Sequence, residues 1–198
     1  MHDFSFKRGK LYCENVSVAS LAKKHGSPLY VYSQATLTRN FDLLDDALSP
    51  VDHTIHFAVK ASSNLGVLRT LANAGSGFDI VSGGELQRVI AAGGDPTKCV
   101  FAGVGKTEED IEFALKKGIY AFSAESEPEM IRINKIAGRL KKKAPIAVRV
   151  NPNVDAKTHA KITTGTYENK FGIAFEEIED LYERAAKLKH LHLRGIQM

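Results

Sequence analysis

Three charged residues lie inside apolar runs of this 198-residue sequence. Lys60 stands in HTIHFAVKASSN, Asp79 in FDIV and Arg149 in IAVRVNP. A charge is costly to bury unless it is paired or takes part in chemistry. A desolvated lysine amine can attack a carbonyl and form a Schiff base, whereas a lysine at the edge of a sheet extends its ammonium to water. The small residues 61–63 that follow favour the reactive interpretation of Lys60.

Asp79 and Arg149 carry opposite charges in two apolar strands that look adjacent in the sequence pattern. A buried carboxylate needs a cationic partner, and a guanidinium in a buried strand must meet a carboxylate or a phosphate. We therefore predict an ion pair between these two side chains.

Two further polar clusters have a structural explanation. Ser82 and Glu85, and likewise Ser126 and Glu129, have the Ser-x-x-Glu spacing of a capping box, which begins a helix without any part in chemistry. Glu125, directly before the second box, is a further candidate for a functional site.

These residues lie in a part of the sequence where strand and helix patterns alternate. Strands are predicted at 55–59, 78–81, 100–102, 120–122, 146–150 and 191–198, and helices at 65–74, 85–92, 108–117, 129–142 and 176–189. The regular spacing of the first five strands indicates βαβ crossovers and an all-parallel sheet. The run IAVRV is almost wholly apolar, as a strand buried on both faces should be.

The parallel sheet can be an open nucleotide-binding sheet or a closed barrel. The open sheet normally carries a glycine fingerprint, but the run from Gly75 has Ile80 in place of its third glycine. The segment GVGKT (103–107) lacks the first glycine of a phosphate loop, because Val100 stands there.

A barrel keeps its chemistry at the carboxyl ends of its strands. Polar or small residues follow the predicted strands at Lys60, Ser82, Gly103, Glu125 and Asn151. We predict an α/β fold, namely a (β/α)8 barrel of the TIM type of which about six strands are present.

Residues 1–35 do not follow the repeat. FSFKRG and KLYCENVSV predict a turn-linked strand pair, which a short helix ending at Gly26 and a further strand should follow. We assign residues 1–35 to a second, β-rich domain and residues 36–198 to the barrel. The chain is expected to stop before the last units of that barrel.

Composition narrows the class of protein. The chain is 43% apolar and 25% charged with a net charge of +4, which is ordinary for a soluble globular protein. The basic residues are interspersed with acidic ones, so we predict no nucleic-acid partner. No apolar run is long enough to span a membrane, and the two distant cysteines suit a reducing compartment. We expect a cytoplasmic protein without a metal site.

Four segments resemble a single family. FAVKASSN (57–64) is similar to the lysine motif of the fold-type III pyridoxal-phosphate-dependent decarboxylases, the alanine-racemase-like barrel group, and GFDIVSGGEL (77–86) is similar to a second hallmark of that group. The segment 149–173 resembles the branch that converts meso-2,6-diaminopimelate to L-lysine, and 194–198 resembles a later barrel strand. The chain departs from the family at Ser62, where asparagine is common.

The resemblance implies that Lys60 holds pyridoxal 5′-phosphate and that Asp79 and Arg149 belong to the same cofactor site. It also implies a lyase that acts on a small amino acid as a homodimer with shared active sites. Because the family's phosphate-binding loop and C-terminal domain would lie beyond Met198, this chain alone is expected to bind the cofactor weakly and to decarboxylate nothing.

The long interval before the last predicted strand contains residues 151–170, which look like an insertion. An insertion of this length after a strand end is typical of a lid. Thr158 and His159 are its candidates for touching the substrate, although a lone loop histidine is also often merely solvated.

Two alternatives to this function stay open. One is a related decarboxylase of ornithine, arginine or carboxynorspermidine, which the segment 149–173 disfavours. The other is a non-catalytic pyridoxal-phosphate-binding barrel, against which the N-terminal residues 1–35 count.

Overall fold

The computed structural model describes residues 2–152 and 171–198 as two sheets and their connecting helices. The strands in these ranges are β1 (Phe4–Lys7), β2 (Lys10–Cys13), β3 (Val16–Ser17), β4 (His56–Ala58), β5 (Gly77–Ile80), β6 (Cys99–Phe101), β7 (Ala121–Ala124), β8 (Ala144–Asn151), β9 (Ile173–Ala174) and β10 (Leu191–Gln197). The α-helices are α1 (Val18–His25), α2 (Gln34–Leu48), α3 (Leu65–Asn73), α4 (Gly83–Ala91), α5 (Glu108–Lys117), α6 (Glu127–Arg139) and α7 (Ile178–Ala186).

The larger sheet follows the order of the chain. Its strands lie in the order β10-β8-β7-β6-β5-β4, all pairs are parallel, and the short β9 pairs with the end of β8. A doubly wound sheet would reverse its order at a switch point, whereas this sheet advances in one direction as a barrel does. The α/β fold with a parallel sheet is therefore confirmed.

The main core lies between this sheet and its helices. Phe78, Phe101 and Phe122 are fully buried there, and the rings of Phe101 and Phe122 stack with centroids 5.9 Å apart. Successive side chains of a strand point to opposite faces. Asp79 follows Phe78 and therefore projects from the other face of the sheet, which in a closed barrel is the interior.

The first turns of α4 and α6 form hydrogen bonds with the residues that follow β5 and β7. The Ser82 hydroxyl accepts from the backbone N–H of Glu85, as predicted. The Glu85 carboxylate, however, accepts from the backbone N–H of Val81 at 2.7 Å, one residue before the cap. Glu129 does the same towards the N–H of Glu125 at 2.6 Å. The return half of each predicted capping box is wrong, because each glutamate accepts from the N–H of the residue before the N-cap and not from the N-cap itself.

Strands β1 to β3 form a separate antiparallel sheet, as the turn-linked pattern predicted. The further strand expected after Gly26 is wrong, since residues 26–33 adopt no strand and lead to Ser33, the N-cap of α2. A strand needs a hydrogen-bonded neighbour, and residues 26–33 pair with no described strand. The helix α2 was not predicted, although Leu37 and Phe41, four residues apart on it, pack against the main core.

Side chains tie the N-terminal sheet to α2. Asp3 forms an ion pair with Arg39 at 2.7 Å and accepts from the hydroxyl of Thr36. The Glu14 carboxylate accepts from the hydroxyl of Ser33 at 2.8 Å and from the N–H of Ala35 at 2.9 Å.

Within the described ranges, no helix combines the length and the apolar character needed to cross a membrane.

Candidate active site

A cavity of about 550 Å³ opens at the carboxyl ends of the parallel strands. Lys60, Gly103 and Arg149 line it together with Phe171 and neighbouring apolar residues. This volume falls within the range of about 300–1,000 Å³ that is usual for small-molecule sites. The cavity therefore lies where a barrel of this kind keeps its chemistry.

Lys60 occupies the single helical turn Val59–Ala61 that follows β4. Val59 points into the core and is fully buried, which anchors the turn and leaves Lys60 exposed to the cavity. Among the described residues, Lys60 forms no salt bridge. Its amine is thus accessible to a ligand from the cavity.

Arg149 takes its counter-charge from Glu125. Its Nη1 lies 2.9 Å and 3.1 Å from the two carboxylate oxygens of Glu125, whose side chain is 4% exposed. The same carboxylate accepts from the N–H of Gly103 at 3.0 Å. The ring of Phe171 lies beside the guanidinium, 5.6 Å from its carbon to the ring centroid.

The predicted ion pair between Asp79 and Arg149 is wrong for the described residues. Asp79 lies on β5 and Arg149 on β8, and β6 and β7 run between them. Glu125 directly follows β7, the hydrogen-bonded neighbour of β8, and therefore reaches the guanidinium first.

Asp79 instead belongs to the Lys60 side of the site. It pairs in register with Ala58, two residues before Lys60. Desolvation on burial raises the pKa of its carboxyl, and Lys60 is the strongest of the charges that oppose the shift, ahead of His56 and Arg149. Asp79 and Lys60 thus influence each other electrostatically without a direct ion pair.

The residues around the cavity fit pyridoxal phosphate. An aldehyde needs an accessible amine to form an imine, and Lys60 supplies one. An anionic group needs fixed positive charge, which Arg149 supplies from an orientation that Glu125 holds. The cavity volume leaves room for the group beside both side chains.

Lys106 is the residue of this region that sequence reasoning missed. It was considered only as part of a failed phosphate loop, yet its side chain is fully buried and forms an ion pair with Glu129 at 2.8 Å. Burial lowers the pKa of its ammonium, while the Glu129 carboxylate opposes the shift. The sequence feature that could have identified Lys106 is its position in the loop after a strand, directly before the N-cap Thr107. The lid candidates Thr158 and His159 lie outside the described residues.

Comparison with known proteins gives the family. The model of the "Pyridoxal-dependent decarboxylase, pyridoxal binding domain" matches residues 34–198. A diaminopimelate decarboxylase of Vibrio cholerae is 56% identical over 188 residues, which are 95% of this chain and 45% of that protein. A diaminopimelate decarboxylase of Pseudomonas aeruginosa is 51% identical over 99% of this chain and 47% of its own length. The chain thus spans about half the length of these relatives.

Solved structures agree with this match. The crystal structure of diaminopimelate decarboxylase from M. jannaschii in co-complex with L-lysine has a TM-score of 0.89 at 34% identity, with 99% of this chain and 48% of that chain covered. A Helicobacter pylori diaminopimelate decarboxylase complexed with L-lysine has a TM-score of 0.83 at 40% identity, over 89% of this chain and 46% of that chain. With its parallel sheet, its cavity beside Lys60 and a family match over residues 34–198, this chain belongs to the pyridoxal-dependent decarboxylases and carries their pyridoxal-binding domain.

Proposed function

We propose that the complete protein decarboxylates meso-2,6-diaminopimelate to L-lysine, with pyridoxal 5′-phosphate attached at Lys60. The exposure of Lys60 to a cavity that it shares with Arg149 carries the assignment of the site. The identity of 56% to a diaminopimelate decarboxylase supports the choice of substrate.

When bound, pyridoxal phosphate supplies an electron sink for the electron pair that stays behind as carbon dioxide departs. The protein's own contribution is attachment and orientation. Lys60 would hold the group covalently through Nζ, and Asp79 would provide a carboxyl group on the Lys60 side of the site, where burial raises its pKa. Arg149 presents a fixed cation to an anionic group in the cavity, because Glu125 and Phe171 hold its guanidinium.

We also infer the larger organisation of the protein. A division near residue 35 is supported by the separate N-terminal sheet and by the start of the family match at residue 34. Closure of the sheet into a full barrel is supported by its strand order. A homodimer with shared sites, a cytoplasmic location and substrate contacts from Thr158 and His159 stay predictions.

The assignment of Lys60 is tested by trapping. Borohydride reduction of the complete protein with bound cofactor, followed by peptide mass mapping, should find the modification on Lys60. Lys60→Ala should abolish the covalent link and nearly all release of carbon dioxide. Lys98→Ala is the matched control, because Lys98 also lies in a turn beside a strand but contacts the carbonyl of Gly75 away from the cavity. A modification found on another lysine would refute the site.

The substrate is tested by offering meso-diaminopimelate, ornithine and arginine in parallel. We expect L-lysine and carbon dioxide from the first and little turnover of the other two. Faster turnover of ornithine or arginine would refute the proposed substrate while leaving the cofactor site intact.

A further inference from the structure

A fully buried lysine lies directly beneath the cavity wall. Lys106 is 2% exposed and follows β6 in the loop that carries Gly103. Its ammonium has three N–H groups. Their acceptors are the carbonyl oxygens of Gly103 at 2.6 Å and Ser123 at 2.8 Å and the Oε1 of Glu129 at 2.8 Å. Every donor of this buried cation therefore has a partner.

Glu129 connects Lys106 to Glu125, which lies closer to the cavity. Its second oxygen accepts from the backbone N–H of Glu125 at 2.6 Å. The Glu125 carboxylate in turn holds the guanidinium of Arg149. The buried carboxylates of Glu129 and Glu125 thus connect the buried ammonium of Lys106 to the guanidinium of Arg149 at the cavity.

Gly103 is held at both of its backbone polar groups. Lys106 donates to its carbonyl oxygen, and the Glu125 carboxylate accepts from its N–H. Gly103 and Arg149 line the cavity, whereas Lys106 is not among the lining residues. Lys106 therefore reaches two parts of the cavity wall, Gly103 directly and Arg149 through Glu129 and Glu125.

We propose that Lys106 is a positioning residue of the cofactor site, which sets the orientation of Arg149 through Glu129 and Glu125 without touching the bound group. This inference rests on the proposed function of the cavity. Removing the Lys106 ammonium leaves the Glu129 carboxylate buried without its counter-charge, so it must turn away or take up a proton. A Glu129 side chain that turns away loses the Glu125 N–H, and a protonated one binds it more weakly. In both cases the guanidinium of Arg149 is held less firmly in its direction.

The test is a double-mutant cycle on cofactor affinity in the complete protein. Pyridoxal phosphate is titrated into the apo forms of the wild type, Lys106→Met, Arg149→Gln and the double variant, and binding is followed by the cofactor's absorbance. Lys106→Met should weaken affinity about 10- to 100-fold, the size of effect expected when a supporting residue is lost from a binding site. In the Arg149→Gln background, the same change should have little further effect, because the group it positions is gone.

Controls separate positioning from general stability. Lys142→Met removes an exposed lysine, whose ammonium donates to the carbonyl of Leu115 at 2.7 Å away from this cavity, and should leave cofactor affinity unchanged. Urea unfolding of each variant confirms that the compared proteins are folded. If Lys106→Met does not fold, Glu129→Gln takes its place in the cycle, since it keeps the side-chain shape and removes the charge.

The outcomes are distinct. A loss of affinity on Lys106→Met that vanishes without Arg149 supports positioning. Equal losses in both backgrounds refute it and indicate a purely structural role. If the wild type binds the cofactor and decarboxylates but the cycle is additive, only this inference fails. If the wild type does not bind the cofactor, the proposed function fails and the inference fails with it.

Discussion

Arg149 and Glu125 form the best-defined polar contact of the site, and their coupling is open to measurement. The Arg149 side chain is 29% exposed and that of Glu125 is 4% exposed. Breaking a fully buried ion pair costs about 3–5 kcal/mol, and partial exposure reduces this, so Glu125→Gln or Arg149→Gln should each cost about 1–3 kcal/mol in unfolding free energy.

The double change at Glu125 and Arg149 should cost at least about 1 kcal/mol less than the sum of the single changes. The matched cycle of Asp79→Asn with Arg149→Gln should be closer to additive, since two strands separate those residues. Urea unfolding of the complete protein measures both cycles. A larger coupling at Asp79 than at Glu125 would contradict the ion pair seen in the structure.

His56 makes stability depend on pH near neutrality. Its Nδ1 is buried without a hydrogen-bond partner among the described residues. Desolvation lowers the pKa of the imidazole, Lys98 adds to this shift, and the backbone of Phe78 and the nearby Asp79 carboxylate oppose it. Because the folded state then binds a proton less readily than the unfolded chain, stability is fully present above the ordinary histidine pKa of 6.5 and falls as pH drops below it.

His56→Phe should therefore reduce the loss of stability between about pH 7.5 and about pH 5.5, since phenylalanine does not titrate. The urea midpoint of wild type and variant at both pH values checks this. Other histidines contribute equally to both proteins, so only the difference between them counts. An unchanged pH dependence would show that His56 titrates normally in the folded state.

At the scale of the elements, the start of α4 depends on a close approach between two helices. A Cβ added to Gly83 would lie 2.4 Å from Oδ1 of Asp110, which accepts from the N–H of Gly83 at 2.9 Å. Asp110 also completes the capping box of α5 with Thr107. The absence of a side chain at position 83 therefore allows one carboxylate to bind the first turns of both helices.

Gly83→Ala should destabilise the protein by about 1–3 kcal/mol, because the new methyl group displaces that carboxylate. Gly84→Ala is the matched control in the same turn. Its Cβ would meet only the hydroxyl oxygen of Ser82, at 3.8 Å, and alanine has the better helix propensity by about 1 kcal/mol. Thermal or urea unfolding should thus move the two variants in opposite directions, and equal effects would contradict the close approach.

At the scale of the whole molecule, the two ends of the parallel sheet determine how this chain behaves alone. Among the described strands, β4 and β10 stand at the ends of the order, each with a single strand neighbour. Unpaired strand edges promote association with other chains. Ile196 on β10 is 57% exposed and Met198 beside it is 76% exposed, which adds apolar surface to one of these edges.

The purified 198-residue chain should therefore self-associate, as its mass by light scattering would show. Ile196→Lys should reduce the association by placing a charge on the edge strand. Ile131→Lys is the matched control, because Ile131 is similarly exposed, at 51%, but lies on α6. A monomeric wild type, or an equal effect of both substitutions, would contradict a role for the β10 edge.

The sequence by itself determined the local features of this protein. The alternation of apolar runs and helical periodicity located the six main strands and the five helices between them, because these patterns depend only on residues near one another in the chain. The anomalous charge of Lys60 within an apolar run marked the candidate site in the same way. Its position at a strand end placed it at the mouth of a cavity, where the structure also has it.

The tertiary structure alone decided which side chains meet. Arg149 pairs with Glu125 because β7, and not β5, lies beside β8, and strand order is a property of the whole sheet. In the sequence, Lys106 is only a residue of the segment GVGKT, whereas the tertiary structure encloses it with Ser123 from β7 and Glu129 from α6. The partner of a buried charge is the group that the fold brings nearest, and distance along the chain does not report it.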